Sequence, residues 1–416
     1  MTEAFIVGSY SSSFGKFPDR THKDLTREVY LGVLADAGLA SGNDIGMAWF
    51  GNCGMWTDGQ GSIRGQVCLT PLVREGLFPE RVPVINVEGG CATASIALHG
   101  AWKDVLSEQT DLSIAIGVEK TFSPIAPEKT VQLFNGGIDQ YNRDEWLAYY
   151  AEAGEAAGKP FAPGQGRTIF MDTYAMQAAW HMRAHGTTER QIAIACAKNH
   201  TASVHNPKAQ YRFALTAEEV LADRPVSWPL TRAMCAPIGD GAAAALVCSG
   251  AWLARQPAAV RARAVRIAAS TMTAGKYRRL DERGLSHLAA ERAYKAAGLS
   301  AKEMDLAEVH DATSFCELYQ SEMLGFCGQG EGGRLAESGA TAQGGSIPIN
   351  LSGGLVSKGH PVGATGLSMI DELMLQLRGE AGARQVAGAR TALAENGGGV
   401  MGFDEAACSV VILQRV

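Results

Sequence analysis

No stretch of this chain approaches the roughly 18 consecutive apolar residues of a membrane-spanning helix. Its first residues also lack a basic region followed by an apolar core and a small-residue cleavage site. Both absences lead to the expectation of a cytoplasmic protein with no membrane partner. Charge of one sign is missing too: 37 Lys and Arg stand against 43 Asp and Glu, a formal net charge of -6. That balance leaves no broad basic footprint for nucleic acid, although a local groove for a phosphate-bearing ligand stays compatible with it. The nine cysteines (53, 68, 91, 196, 235, 248, 316, 327 and 408) are odd in number, scattered and without a C-x-x-C pair, which speaks against zinc or dithiol redox work. They read as reduced thiols, most of them small buried hydrophobes.

What is present is a length of 416 residues with 46% hydrophobic and 19% charged content, enough for two or three domains or one large fused fold. The chain also echoes itself. Val33 to Asn52 has the same shape as Ala293 to Ala312, a helix closing on Ala-Gly-Leu, a polar turn and a strand. INVEGG (Ile85 to Gly90) is matched by INLSGG (Ile349 to Gly354). The two echoes share nearly one offset, so the halves read as copies of one α/β unit. From Asn86 to the strand at Asp240 the first copy runs about 100 residues longer than the second does from Asn350 to Glu405, an excess large enough for a subdomain. The expected halves are 1–255, carrying a loop domain at about 120–235, and 256–416.

Periodicity places a buried strand at Val82–Val87 and further strands at Asp240–Cys248 and the terminal CSVVILQ, with amphipathic helices after Cys91 and Gly366. Another helix is expected from Phe170 to about His185. The segment GKPFAPGQG and the aromatic residues Trp146, Tyr149, Tyr150 and Phe161 suit a cover over an apolar ligand, and a packing excursion equally well.

NVEGGCATAS sets Cys91 at a strand-to-helix turn. Amides at a helix start favour an anion, so a depressed thiol pKa and a good nucleophile are expected there. His360 lies in the glycine-rich loop SKGHPVGATG, and His310 ends a strand in EVHDATSFCELY. One imidazole can take a thiol proton while a second donates to an oxyanion. His181 and His185, four apart on a helix, read as surface residues, because no Glu follows the first and no third ligand is evident.

NVEGGCATAS, EVHDATSFCELYQSEMLGFCGQGEGG, INLSGGLVSKGHPVGATG and ENGGGV together resemble the motif series of the thiolase superfamily, in particular its sterol-carrier-protein-type branch. The resemblance implies a duplicated five-layer αβαβα fold with an inserted loop domain, acyl-CoA substrates, coenzyme A as co-substrate with no tightly bound cofactor or metal, and a homodimer or dimer of dimers. It also implies Cys91 as the acyl-accepting nucleophile, His360 as its base and His310 as part of a first oxyanion hole. A second hole would use the Cys91 amide with Gly397 or Gly398, and Ser352 and Gly353 would contact the pantetheine arm. A small zinc-ribbon and OB-fold partner subunit belongs to the same implication.

The chain departs from that pattern at the acid/base thiol that moves a proton at the α-carbon. Ala312 stands where one family cysteine lies, and Leu393 to Gly397 supplies no other. Glu395 is the substitute available in sequence, provided burial raises its pKa. These features lead to the expectation of a thiolase-type acyltransferase cleaving a 3-oxoacyl-CoA. The alternatives are a retro-aldol lyase on a 3-hydroxyacyl-CoA and a non-catalytic acyl-CoA-binding subunit.

Overall fold

The computed structural model describes residues 2–164 and 168–416. In the first half β1 (Ala4–Ser11), α1 (His22–Ala37), β2 (Met47–Gly51), α2 (Arg64–Arg74), β3 (Val84–Val87), α3 (Thr93–Leu106) and β4 (Leu112–Glu119) alternate as the periodicity requires. An excursion follows: α4 (Glu128–Asn135), α5 (Arg143–Ala157), α6 (Ile169–His185), α7 (Glu189–Ser203), α8 (Ala217–Ala222) and the hairpin of β5 (Pro225–Ser227) and β6 (Leu230–Thr231). The chain returns to the sheet in β7 (Gly241–Ser249), passes through α9 (Gly250–Ala254) and α10 (Ala258–Arg263), and begins the second half at β8 (Val265–Ala274). That half continues through α11 (Leu285–Ala297), β9 (Leu306–Glu308), α12 (Ser314–Met323), α13 (Gly332–Glu337), α14 (Thr365–Arg378), β10 (Thr391–Gly398) and β11 (Ala407–Arg415).

The strand order β3-β2-β4-β7-β1-β8-β11-β10-β9 places the copies back to back. Only the pairs Phe5/Arg266 and Ile6/Val265 join them across β1 and β8. The sequence echo has a structural counterpart: Ile85 of β3 pairs in parallel with Trp49 of β2, and Ile349 forms a parallel bridge to Ala307 of β9. Alternation along the strands builds the layers. Ala242, Ala244, Leu246 and Cys248 of β7 join the outer core with α1 and α2, whereas Ala243, Ala245 and Val247 face α3 and α14. In β11, Val411 and Leu413 meet those central helices from the other side, and Cys408, Val410 and Ile412 pack outward on α11. The result is helix, sheet, helix, sheet, helix. Alanines on the inner face of β7 let the central helices sit close to the sheet, a packing that larger side chains would prevent.

Local signals end the elements where expected. Thr21 opens α1 with a capping box, and Gly38 at φ +69 closes it. Two expectations need correction. The strand at Val82–Val87 is not buried: β3 is a sheet edge with Ile85 38% exposed. The polar face of the amphipathic helix after Gly366 does not meet solvent, because α14 lies in the middle layer and even Asp371 and Glu372 are buried. Lys208 and Arg384 neutralise those two carboxylates, as buried charge demands.

Candidate active site

The C-terminal ends of β3, β4, β9 and β10 bring four loops to one point, the usual place for ligands in α/β sheets. Cys91 sits one residue before the first capping position of α3 and is 6% exposed. Its Sγ lies 3.1 Å from His360 Nε2. The tautomer of that imidazole follows from its other side. Thr365 Oγ1 donates to the Pro361 carbonyl (3.1 Å) and so accepts from His360 Nδ1 at 2.7 Å. The proton is therefore on Nδ1, and Nε2 is free to receive the S–H of Cys91.

Burial and the nearby Glu405 charge push the Cys91 thiol up to about 12, against the opposing pull of the Gly399 and Cys91 amides. This corrects the expected low pKa. A helix start offers an anion only ~0.3–1 kcal/mol, too little to offset taking the sulfur out of water. Desolvation also holds His360 well below the ordinary imidazole value. The resting pair is a neutral thiol and a neutral imidazole, so a thiolate can form there only as the proton moves to Nε2.

His310 faces the same point, its ring 5.3 Å from that of His360. Both of its ring nitrogens are buried without a hydrogen-bond partner, and desolvation lowers its pKa to about 4. An unpaired neutral imidazole is a donor awaiting an acceptor. Asp311 fixes its loop by accepting from the Leu355 amide (2.6 Å) and from Asn199 Nδ2 (2.9 Å), which ties the His310 loop to the turn that leads to His360. Cys91 Sγ and the two imidazoles offer donor atoms within 4.8 Å of one another. A metal ion there would have to strip the thiol proton and displace the Cys91–His360 contact, so the trio fits acyl transfer better than metal binding.

Glycines make the close approach possible. Gly90 adopts φ +56, and a Cβ on it would lie 2.5 Å from the Gly399 amide nitrogen. A Cβ on Gly398 would lie 2.7 Å from the Cys91 nitrogen. The two amides directed at the sulfur are those of Cys91 itself and Gly399; Gly398 supplies the contact surface, and Gly397 faces the Glu405 side chain instead. Glu395 is fully buried, and its carboxylate accepts from the His310 amide (3.1 Å) and the Cys408 thiol (3.4 Å). Burial, reinforced by Glu405, pushes it up to about 8.

The other sequence candidates land elsewhere. Ser352 Oγ donates to Glu308 Oε2 at 2.5 Å and its amide to Oε1 at 3.0 Å; Gly353 packs on Ser203, and neither reaches a cavity at Cys91. These two positions brace the turn before His360. His181 is buried rather than on the surface, bonded to Thr187 and Glu322. Trp146, Tyr149, Tyr150 and Phe161 line neither cavity. Tyr150 donates to the Gly402 carbonyl and Tyr149 Oη accepts from the Phe403 amide, so they support the loop after β10. Part of GKPFAPGQG, residues 165–167, lies outside the described residues.

Three supporting residues escaped the motif reading. Asn396 Nδ2 holds the Cys91 carbonyl (3.0 Å) and Ser95 Oγ (2.9 Å). Thr365 sets the His360 tautomer. Glu119, at the end of β4, accepts the amides of Cys53, Gly54 and Gly363 and binds the Gly-His-Pro loop to two others. Its placement at a strand end was the one available signal.

Two cavities converge on Cys91. One of about 750 Å³ passes Gly89, Leu133 and Gly398–Met401; the other, about 650 Å³ and mostly apolar, passes Phe122, Tyr174, Ala312 and His360. Phe134 and Phe170 line both, in an edge-on contact with centroids 6.1 Å apart.

This fold has known relatives. Residues 4–147 match the family described as "Thiolase, N-terminal domain" and residues 276–415 the family described as "Thiolase C-terminal domain-like". The chain belongs to the thiolase superfamily. It is 36% identical over 409 residues to the acetyl-CoA acetyltransferase of Methanothermobacter thermautotrophicus, covering 97% of this chain and 98% of that one. It is 35% identical over 424 residues to sterol carrier protein 2 of Bos taurus, covering 97% of this chain and 73% of the relative. Among solved structures, "Ltp2-ChsH2(DUF35) aldolase" shares the fold with a TM-score of 0.77 at 22% identity, over 99% of this chain and 98% of that one. Among the described residues no helix is long and apolar enough to cross a membrane.

Proposed function

We propose that the protein is an acyltransferase that cleaves a 3-oxoacyl-CoA with CoA through an acyl-enzyme on Cys91. The observation that carries this is the Cys91 thiol 3.1 Å from the one His360 nitrogen free to accept its proton, with two amides on the sulfur and an unpaired His310 opposite. The sulfur attacks the ketone carbon as its proton passes to His360 Nε2. His310 donates to the developing oxyanion, the C2–C3 bond breaks, and the released acyl-CoA carbanion takes up a proton. The thiol of CoA then takes the acyl group from Cys91, whose carbonyl oxygen faces the Cys91 and Gly399 amides. One cavity would hold the CoA arm and the other the acyl chain, with Phe134 and Phe170 between them.

The acetyl-CoA acetyltransferase relative supports the acyl-transfer class, and the aldolase neighbour keeps the lyase reading in view as an outcome of the test. The half-exposed edge strand β3 is the proposed homodimer contact. The zinc-ribbon and OB-fold subunit stays a proposed partner, and purification of this chain alone as an active homo-oligomer would remove it.

The test is intact-mass spectrometry after brief exposure to acetyl-, butyryl- and benzoyl-CoA and to the matching 3-oxoacyl-CoA compounds, with Cys91→Ala in parallel. The expected result is an acyl adduct absent from the variant. No adduct from any compound, together with cleavage of a 3-hydroxyacyl-CoA, would move the assignment to a retro-aldol lyase.

A further inference from the structure

The thiolysis just proposed needs a group that gives a proton to C2 of the departing acyl-CoA and takes one from the incoming CoA thiol, and neither Ala312 nor the Leu393–Gly397 run supplies the customary thiol. Resting on that reading, we infer that Glu405, from the loop between β10 and β11, is this acid/base residue, and that Glu395 is a positioning residue.

Direction along β10 separates the two carboxylates. Asn396 reaches the Cys91 carbonyl, so Glu395 and Gly397 point to the opposite side of the strand. Glu395 is sealed there, with both carboxylate oxygens engaged by His310 N–H and Cys408. Gly397 has no side chain, and the room this leaves is filled by Glu405: a Cβ on Gly397 would lie 2.5 Å from Glu405 Cγ and 2.8 Å from its Oε1. Gly399, two residues on, presents its amide to the Cys91 sulfur, and Ala406, next to Glu405, lines the larger cavity. Glu405 is only partly buried, whereas Glu395 is fully buried. Glu405 itself lines neither cavity; its carboxyl lies behind the Gly397–Gly399 run, near enough for its charge to raise the Cys91 thiol.

Its aim is fixed. Gln320 Nε2 donates to Glu405 Oε1 at 3.2 Å, and Gln320 Oε1 is itself held by Ser286 Oγ at 2.5 Å. The charged and titratable groups around it are Asp404 and Arg278, Glu395 on β10, Cys408 on β11, Cys316 on α12 and Cys91; Tyr174 and Tyr319 also feel its charge. Arg278 is engaged by Asp404 at 2.9 Å, so it does not simply neutralise Glu405. Burial and Asp404 push Glu405 up to about 7, where one carboxyl can serve as acid and as base in a single turnover.

The proton ledger then closes. As the C2–C3 bond breaks, its electron pair takes the Glu405 proton and leaves a carboxylate. The CoA thiol returns a proton to that carboxylate while its sulfur takes the acyl group, and the departing Cys91 sulfur recovers its own proton from His360.

The test uses the full chain as wild type, Glu405→Gln, Glu405→Asp and Glu395→Gln, with acetyl-CoA and acetoacetyl-CoA as probes. Three quantities are read: the Cys91 adduct by intact mass, deuterium entry at the acetyl-CoA methyl in D2O, and acetoacetyl-CoA cleavage against pH. Glu405→Gln is expected still to form the acetyl adduct from acetyl-CoA, more slowly because the same carboxyl protonates the departing CoA sulfur, while methyl exchange and cleavage fall by ~10²–10³-fold, with Glu405→Asp recovering part. An adduct kept in Glu405→Gln with cleavage within threefold of wild type overturns this assignment alone. A larger loss of exchange in Glu395→Gln than in Glu405→Gln also overturns it. Absence of any wild-type adduct overturns the acyl-enzyme reading and this assignment with it.

Discussion

The sharpest perturbation is a single methyl group at Gly398. Built on the present backbone, it would stand 2.2 Å from the Gly89 carbonyl oxygen, 2.3 Å from the Ala92 nitrogen and 2.7 Å from the Cys91 nitrogen, where ordinary contact begins near 3.4 Å. All three neighbours are backbone, so no rotamer change relieves the clash. The β10 end and the turn before α3 must separate by about 1 Å. Overpacking of this kind costs ~1–3 kcal/mol, and the same displacement carries the Gly399 amide away from the acyl oxygen. Losing one oxyanion donor costs ~10²–10³-fold, and a 1 Å misplacement of reacting groups ~10²-fold. Gly398→Ala should therefore slow Cys91 acylation by about two orders of magnitude while the protein still folds, with its melting temperature a few degrees lower. Quench-flow with intact-mass detection reads the acylation rate. Gly61→Ala is the control, since its added Cβ would meet nothing nearer than Trp56 Cβ at 3.9 Å. Acylation in Gly398→Ala within threefold of wild type would refute the argument that this contact sets the oxyanion geometry.

Two further outcomes test the charges around the site. His310 is held neutral with its pKa lowered to about 4; between pH 6.5 and 4 the unfolded chain binds a proton there that the folded chain does not, so stability falls as pH drops through that window, by about 2 kcal/mol at pH 5. Urea midpoints at pH 7 and pH 5 should converge in His310→Asn relative to wild type, and an unchanged gap would contradict this. Lys358 pairs with the buried Glu308 at 3.5 Å, both below 5% side-chain exposure or at it; Lys358→Met strands that carboxylate and should cost ~3–5 kcal/mol in chemical denaturation, with part returned by adding Glu308→Gln. A single variant less than 1 kcal/mol below wild type would show that the pair does not hold the turn before His360.

Much of this molecule was readable in one dimension, because its signals are local. Glycine at the strand-to-helix turn before α3, apolar spacing through Ala94 to Leu106 and the Gly-His-Pro loop each express a backbone or periodic requirement that a short segment carries by itself. The duplicated INVEGG and INLSGG segments marked the two parallel pairings, of β3 with β2 and of Ile349 with Ala307. Cys91, His310 and His360 could be picked out as residues that the fold brings to one point, with nucleophile, donor and base as their proposed roles.

What the sequence could not carry was everything that depends on which surfaces meet. The all-round burial of α14 and the edge position of β3 follow from stacking the two copies, and no window of residues contains that stacking. The Cys91 pKa reversed for the same reason: the helix start is local, but the desolvation that outweighs it is made by four loops closing together. Ser352 and Gly353 looked like ligand contacts until their partners, Glu308 and Ser203, were fixed in space. Glu395 occupies a plausible place in the chain, yet its carboxylate faces the His310 amide, and the space beside Gly397 belongs to Glu405, ten residues after Glu395. Residue type and spacing are properties of the chain, whereas burial, and with it the charge a group carries, belongs to the packed molecule.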